Sequence, residues 1–303
     1  QEVIPLFEAE ANVKVEYVAG NSTDTLAKLQ AQKGNQQIDV AIVDDGPAYQ
    51  AIALGFCGEL SDAPIYNDVA EVMKFKSNRA VGIGLVATGL IYNTSIFEEN
   101  GWSAPVSWEA LKSDIYGKRI VTPPINNTYG LHALIAVARL GGGGENNIEP
   151  GFEAFKNEIN QNIIAYEPSQ AKMAELFQSG QAVLGVSGSG RTKALADTGF
   201  PVEFVYPEEG GYALGVAACV IEESKSTPEA NAFIQFMLTP PIQKVMAAGA
   251  GLGPANMTVT LTAEEQKGLP YGEEVKNMNA VDWDVVNENR EEWNRRWSRE
   301  VER

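Results

Sequence analysis

The apolar and polar positions of this 303-residue chain change period along its length, and each change marks an element. QEVIPLFEAE (1–10) reads as a helix already under way, and NVKVEYVAG (12–20) alternates apolar and polar side chains as a half-buried strand does. In DTLAKLQAQK, Leu26, Leu29 and Gln30 fall at helical spacing. IDVAIVDDGP (38–47) is a continuous apolar run ending in two aspartates, a glycine and a proline, which predicts a buried parallel strand and the loop at its carboxyl end. PAYQAIALGF then opens a helix with Pro47 in its first turn. Strand, helix, strand, helix in this order predicts right-handed βαβ units around a parallel sheet.

RAVGIGLVATGLI (79–91) is a long β-like run whose glycines permit bends, long enough to leave one lobe and enter another. TSIFEENG is a short helix stopped by Gly101, and Ser107 caps a helix over WEALKSDIY. A second α/β region comes next. GKRIVTPP (117–124) is its first strand, NNTYGLHALIAVARLGG a helix capped near Asn126–Thr128, and GFEAFKNEIN and SQAKMAELFQSG two more helices. QAVLGVSGSG reads as a strand and glycine-rich loop leading to the helix RTKALADTG. VEFVYPEEGG and YALGVAACVIEES are further apolar runs, the second carrying the chain back to the first lobe. Thr227-Pro228-Glu229 starts the helix PEANAFIQFML, and PIQKVMAAG comes after a proline break. Near the end, Val286, Trp293, Trp297 and Val301 stand seven, four and four apart, one apolar stripe on a charged helix that must dock on a body. The expected architecture is α/β: two lobes, each a mostly parallel sheet flanked by helices, joined by two crossing strands. The first lobe would be discontinuous, 1–88 plus 210–303 with the C-terminal helix packed on it, and the second would be 89–209.

Composition changes this picture little. A chain that is 44% hydrophobic and 21% charged is that of a soluble globular protein. No apolar run approaches the roughly 18 residues of a membrane span, and no basic, apolar leader opens the chain, so an export signal is expected to have been removed or never to have existed. The net charge of −17 disfavours nucleic acid and anionic membrane, and solubility is its plainest meaning. Cys57 and Cys219 both lie in apolar settings; two buried thiols are favoured over one disulfide, with the even count keeping a bridge open.

Catalytic chemistry is hard to find. His132 is the single histidine and sits in an apolar helix, where a core role is the simpler assignment. GVSGSG misses the G-x-S-x-G pattern because Ser189 takes the final glycine position. GIGLVA (82–87) fits G-x-G-x-x-A only inside a β-like run, and GGGG (141–144) lacks the Lys-Ser or Lys-Thr of a P-loop. No cluster has zinc spacing. No enzyme, cofactor or bound metal is expected, with a transferase or lyase on a two-lobed fold and a metal carrier as the lesser alternatives.

What remains is a set of polar loops at the carboxyl ends of strands, where open parallel sheets bind ligands. The candidates are Asp44 and Asp45; Thr122, Asn126, Thr128 and Tyr129; Ser187, Gly188, Ser189 and Arg191; and Glu209 and Tyr212. Several have a simpler role as helix caps, and Arg191 as a surface charge. A glycine-rich loop with two serines and an arginine at a helix start can nonetheless receive an anion, since free N–H groups and the helix dipole point there. Arg191 could add a two-pronged grip on a carboxylate.

IDVAIVDDGPAYQAIALGF, GLIYNTSIF, PVSWEAL, YPEEGGYALG and TPEANAFIQFML together resemble the solute-binding proteins of bacterial ABC importers, nearest to the group with polyamine- and iron-binding members. The resemblance covers nearly the whole chain. It implies a two-lobed receptor of the type II periplasmic-binding-protein fold, periplasmic or lipid-tethered outside the cell. Such a receptor is monomeric and hands a small solute to ABC permease membrane subunits. Polyamine binders of this group place a tryptophan and an aspartate soon after the acid-Gly-Gly turn; here those places hold Leu214 and Val216. Ferric binders use adjacent tyrosines, and this chain has no Tyr-Tyr pair. A small carboxylate-bearing solute, zwitterionic or amino-acid-like, is therefore expected, with a polyamine as the closest rival. The family also opens with a strand and glycine-rich loop before its first helix, so a segment preceding residue 1 is expected.

Overall fold

The computed structural model describes residues 2–20, 22–75 and 77–302; Gln1, first residue of the expected opening helix, lies outside them. Helix α1 spans Val3–Ala11 and α2 spans Ser22–Ala31, and between them the 13–20 segment has no regular secondary structure. Its alternation is present, yet the Val15 N–H bonds the Glu8 carboxylate rather than a neighbouring strand. Strand β1 (Val40–Asp44) runs directly into α3 (Asp45–Ala53). The long β2 covers Val81–Asn93, and α4 (Thr94–Asn100) ends on Gly101 at φ 67°. Ser107 caps as expected, accepting from the Glu109 N–H, but the chain then forms two short 3-10 segments rather than one helix.

Then come β3 (Ile120–Thr122), α5 (Thr128–Leu140), α6 (Glu149–Ala154), β4 (Ile163–Tyr166), α7 (Gln170–Gln178), β5 (Leu184–Gly188) and α8 (Ser189–Ala196). No glycine-rich loop separates β5 from α8; the helix begins at Ser189. The remainder is β6 (Val202–Val205), β7 (Tyr212–Val220), α9 (Thr227–Leu238), α10 (Pro240–Ala250), the short β8 (Gly253–Pro254), α11 (Glu273–Lys276) and α12 (Trp283–Glu300).

The chain divides into two compact units. One comprises Gln1–Val86 and Leu214–Lys276, the other Ala87–Ala213 and Asn277–Arg303. The chain therefore passes between units inside β2, inside β7 and after α11, so both expected crossing strands exist and a third passage joins them.

In the first unit β1 pairs with β7 and β2 with β8, both antiparallel. The buried, parallel β1 expected from its apolar run is thus corrected on both counts: it is antiparallel, and Ala41 and Val43 are buried while Ile42 on the other face is exposed, so an apolar run fixes neither strand direction nor burial of both faces. Its core gathers Leu29, Ala41, Ala51, Phe56 and Ile221 around a Cys57–Cys219 disulfide, Cα–Cα 5.6 Å. The favoured pair of free thiols is corrected with it.

In the second unit β3 is parallel to β4 and β5, while β5 and β6 are antiparallel to β2. Helix α5 is buried from Tyr129 through Ala138, which is why its sequence is apolar on every side. The C-terminal stripe is buried as expected, but within this unit and not the first: the Trp297 ring lies 4.9 Å from Phe155 and 5.2 Å from Tyr166. A stripe reveals that a helix docks without naming the surface that receives it.

Candidate anion-binding site in the second unit

Strands β3 and β5 are parallel neighbours, with Ile120 opposite Leu184 and Val121 opposite Gly185. A helix comes after each, so the N-termini of α5 and α8 lie at the carboxyl ends of adjacent strands. Such ends present unpaired N–H groups and a partial positive charge. The two ends differ. Helix α5 is capped by Asn127, whose side chain accepts the Tyr129 N–H at 3.0 Å. Helix α8 begins after Gly188 with no side-chain cap and no acidic residue in its first turn.

Tyr129 connects the two. Its phenol packs on Gly188 so closely that a Cβ there would lie 2.5 Å from the hydroxyl, and glycine is required. The Arg191 guanidinium stacks on the other part of this platform, 4.5 Å from the ring centroid. Arg191 is half-buried, and among the described residues it has no carboxylate within ion-pair distance. The result is a cation held flat by an aromatic face beside an uncapped helix end, an arrangement suited to a planar anion.

The other expected residues of this unit fall into three groups. Thr122, Ser187 and Ser189 are buried. Thr122 Oγ1 donates to the Pro123 carbonyl, Ser187 Oγ to the Gly188 carbonyl, and Ser189 Oγ accepts the Ala87 N–H at 3.1 Å. They build the floor of the loops. Asn126 is exposed and Thr128 half-buried, flanking the cap residue Asn127 that sequence reasoning placed only within a three-residue window. Glu209 and Tyr212 belong elsewhere. The Glu209 carboxylate is held by Ser107 Oγ and by the Trp108 N–H, tying the 207–211 turn to the 3-10 segment. Tyr212 is 1% exposed, stacked on His132 at 5.4 Å and covered by Arg139 at 5.2 Å. It is a core ring, and its exclusion from water pushes its phenol above the ordinary range.

His132 is a core histidine as expected. Its Nδ1 pairs with Thr88 Oγ1 at 2.7 Å, and burial, reinforced by Arg290 and Arg139, presses its pKa down to about 3. A neutral imidazole sealed from solvent is no general base. A cavity of about 130 Å³ beside Trp108, Arg139, Tyr212 and Asn279 makes a poor rival site, since Arg139 is already bound to Glu145 at 2.7 Å and to Asn279 at 3.3 Å.

In the first unit Asp44 and Asp45 end β1 and begin α3. Asp44 Oδ2 accepts from Ser22 Oγ at 3.1 Å, and that hydroxyl accepts the Asp44 N–H at 3.0 Å. Asp45 accepts the N–H of Gly46 at 2.9 Å and of Gly215 at 3.2 Å. Among the described residues no three acidic, cysteine or histidine side chains gather as a metal site.

Residues 2–270 match the model of the bacterial extracellular solute-binding protein family. The chain belongs to that family. It is 24% identical over 180 residues to the spermidine/putrescine-binding periplasmic protein of Escherichia coli, a stretch covering 56% of this chain and 50% of that one. It thus spans half the length of that curated relative. Among solved structures it is similar to an ABC transporter protein of Clostridium perfringens, with a TM-score of 0.90, 24% identity and 99% and 95% of the two chains covered. It is also similar to the ferric binding protein of Campylobacter jejuni, with a TM-score of 0.76, 18% identity and 98% and 94% covered. These likenesses establish the α/β fold of periplasmic binding proteins. Among the described residues no helix is long and apolar enough to cross a membrane.

Proposed function

We propose that this family member is the receptor of an ABC importer, working as a monomer in the periplasm or tethered outside the cell. It captures a small carboxylate-bearing solute, zwitterionic or amino-acid-like, and delivers it to the permease. The observation that carries the choice of solute is Arg191: stacked on Tyr129, without an acidic partner among the described residues, next to the uncapped start of α8. A carboxylate would take two parallel bonds from the guanidinium and further bonds from helix N–H groups. Capture proceeds by hinge closure about the chain passages. Moving a receptor from mostly open to mostly closed takes about 5.5 kcal/mol of preference for the closed state, which contacts completed on closure supply. No bond is made or broken.

The test is a thermal-shift panel of L-glutamate, citrate, spermidine, putrescine and ferric ion, with calorimetry on any solute that stabilises. A carboxylate at one hundred times its dissociation constant should stabilise the protein by about 2.7 kcal/mol. Arg191→Ala should then weaken that binding by roughly 30- to 100-fold, about 2–3 kcal/mol, and leave the unliganded melting temperature unchanged. The polyamine alternative draws on the named Escherichia coli relative. Stabilisation by spermidine that survives Arg191→Ala would put that reading in place of the carboxylate.

A further inference from the structure

Arg290 lies on α12 and reaches a loop 164 residues away: its Nη2 donates to the Asn126 carbonyl at 3.2 Å. Burial presses its pKa down to about 10, and its Nη1 is buried without a hydrogen-bond partner among the described residues. None of those residues offers it a carboxylate within ion-pair distance. A half-buried cation whose Nη1 is sealed off without a hydrogen-bond partner among the described residues is a cost to folding, and an apolar side chain of like volume is usually as stable or more so. Stability therefore does not account for Arg290, and its one polar contact directs attention to the loop.

That contact sits at a sensitive place. Asn126 precedes Asn127, the cap of α5, and the N–H that Asn127 accepts is that of Tyr129, the platform for Arg191. The loop is already tight: the Asn127 N–H bonds the Pro124 carbonyl at 2.9 Å, and a Cβ on Gly130 would lie 2.3 Å from the Pro123 carbonyl oxygen. With the backbone so closely fitted, a shift at Asn126 passes to the cap and to the ring. We propose that Arg290 is a positioning residue: it pins the 123–127 loop from α12 and so sets the geometry of the Tyr129–Arg191 anion site without touching the solute. This inference rests on the anion site proposed above.

The experiment compares full-length wild type, Arg290→Met and Arg290→Lys. Methionine keeps the packed stem and removes the charge and the donor; lysine restores both in part. Amide exchange is measured across residues 125–131 without solute, together with thermal unfolding, and citrate and L-glutamate affinities are measured by calorimetry. In Arg290→Met the 125–131 amides should exchange at least tenfold faster, with the melting temperature unchanged or raised. Citrate or L-glutamate should bind about tenfold more weakly, and Arg290→Lys should recover most of both losses. Unchanged exchange across 125–131 would overturn the proposal. So would acceleration across the whole second unit with a lowered melting temperature, or a loosened loop with unaltered citrate and L-glutamate affinity. If neither anion binds the wild type and the loop still loosens, the anion reading fails while the pin on the loop stands.

Discussion

Both units place charged residues where a strand ends and a helix begins, yet the two sets are used in opposite ways. At the end of β1, Asp44 and Asp45 are engaged by Ser22 and by the N–H groups of Gly46 and Gly215, so their carboxylates hold their own unit together. At the end of β5, Arg191 is kept in place by a ring face, and among the described residues no acid neutralises it. Position in the fold does not make a binding residue. What matters is whether the polar atoms already have partners inside the unit, because a carboxylate engaged by its own backbone N–H groups has fewer acceptor positions and less charge left to offer a ligand. Among the described residues Arg191 has no ion pair to give up before it takes a carboxylate.

The units also differ in how they are held, and the largest expected effect separates them there. Cys57 and Cys219 stand 162 residues apart and both lie in the first unit. Most of that loop belongs to the second unit, so while that unit stays folded the cross-link restrains only a few dozen loop residues, worth about 4 kcal/mol in the chain-entropy model. Reduction, or Cys57→Ala with Cys219→Ala, should lower the stability of the first unit by about that much. Amides of the second unit should keep their protection. Equal loss in both units would show that they unfold as one and would remove the contrast.

The second unit has its own weak point, at low pH. His132 has a pKa of about 3 when folded, against about 6.5 in an unfolded chain. A depressed folded value means that the unfolded chain binds the proton first. Stability is then complete above pH 6.5 and falls as the pH drops toward 3, by at most about 1.4 kcal/mol per unit. Two units below the unfolded value the loss approaches roughly 2.7 kcal/mol. His132→Asn, which can still meet Thr88, should flatten this slope in denaturant titrations between pH 4 and 6.5. An unaltered slope would assign acid sensitivity to other groups.

How far the sequence carried these conclusions depends on the range of the interaction. Periodicity identified β2 and β7 as crossing strands and the stripe on α12, because each is a local pattern of what must be buried. It left α12 in the wrong unit, made β1 parallel and missed β4, because partner and direction are set by residues far along the chain. The candidate site shows the same division. Loops at strand ends could be listed from local punctuation, and Arg191 stood out among them. That Glu209 serves Ser107, that Tyr212 covers His132 and that Arg290 reaches Asn126 are pairings across 80 residues or more in each case. No short pattern announces them. The cysteines were undecidable in the same way, since apolar flanks describe a buried thiol and a buried disulfide equally well.

The smallest expected effect is the sharpest check on the contrast between the two strand ends. Asp45→Asn removes a charge but keeps an oxygen that can accept one of the two N–H groups now bound, from Gly46 and Gly215. Losing the other bond should cost about 1 kcal/mol of stability in the first unit. If the carboxylate is spent on those N–H groups, a polyanion such as citrate and a zwitterion such as L-glutamate should each bind the variant within about twofold of wild type, under 0.5 kcal/mol. A zwitterion that weakens tenfold while citrate does not would mean that Asp45 meets an ammonium group. The carboxylate would then have a second use, as a binding group, that its hydrogen bonds in the first unit do not reveal, and the reading of Asp45 as a purely structural acid would fall.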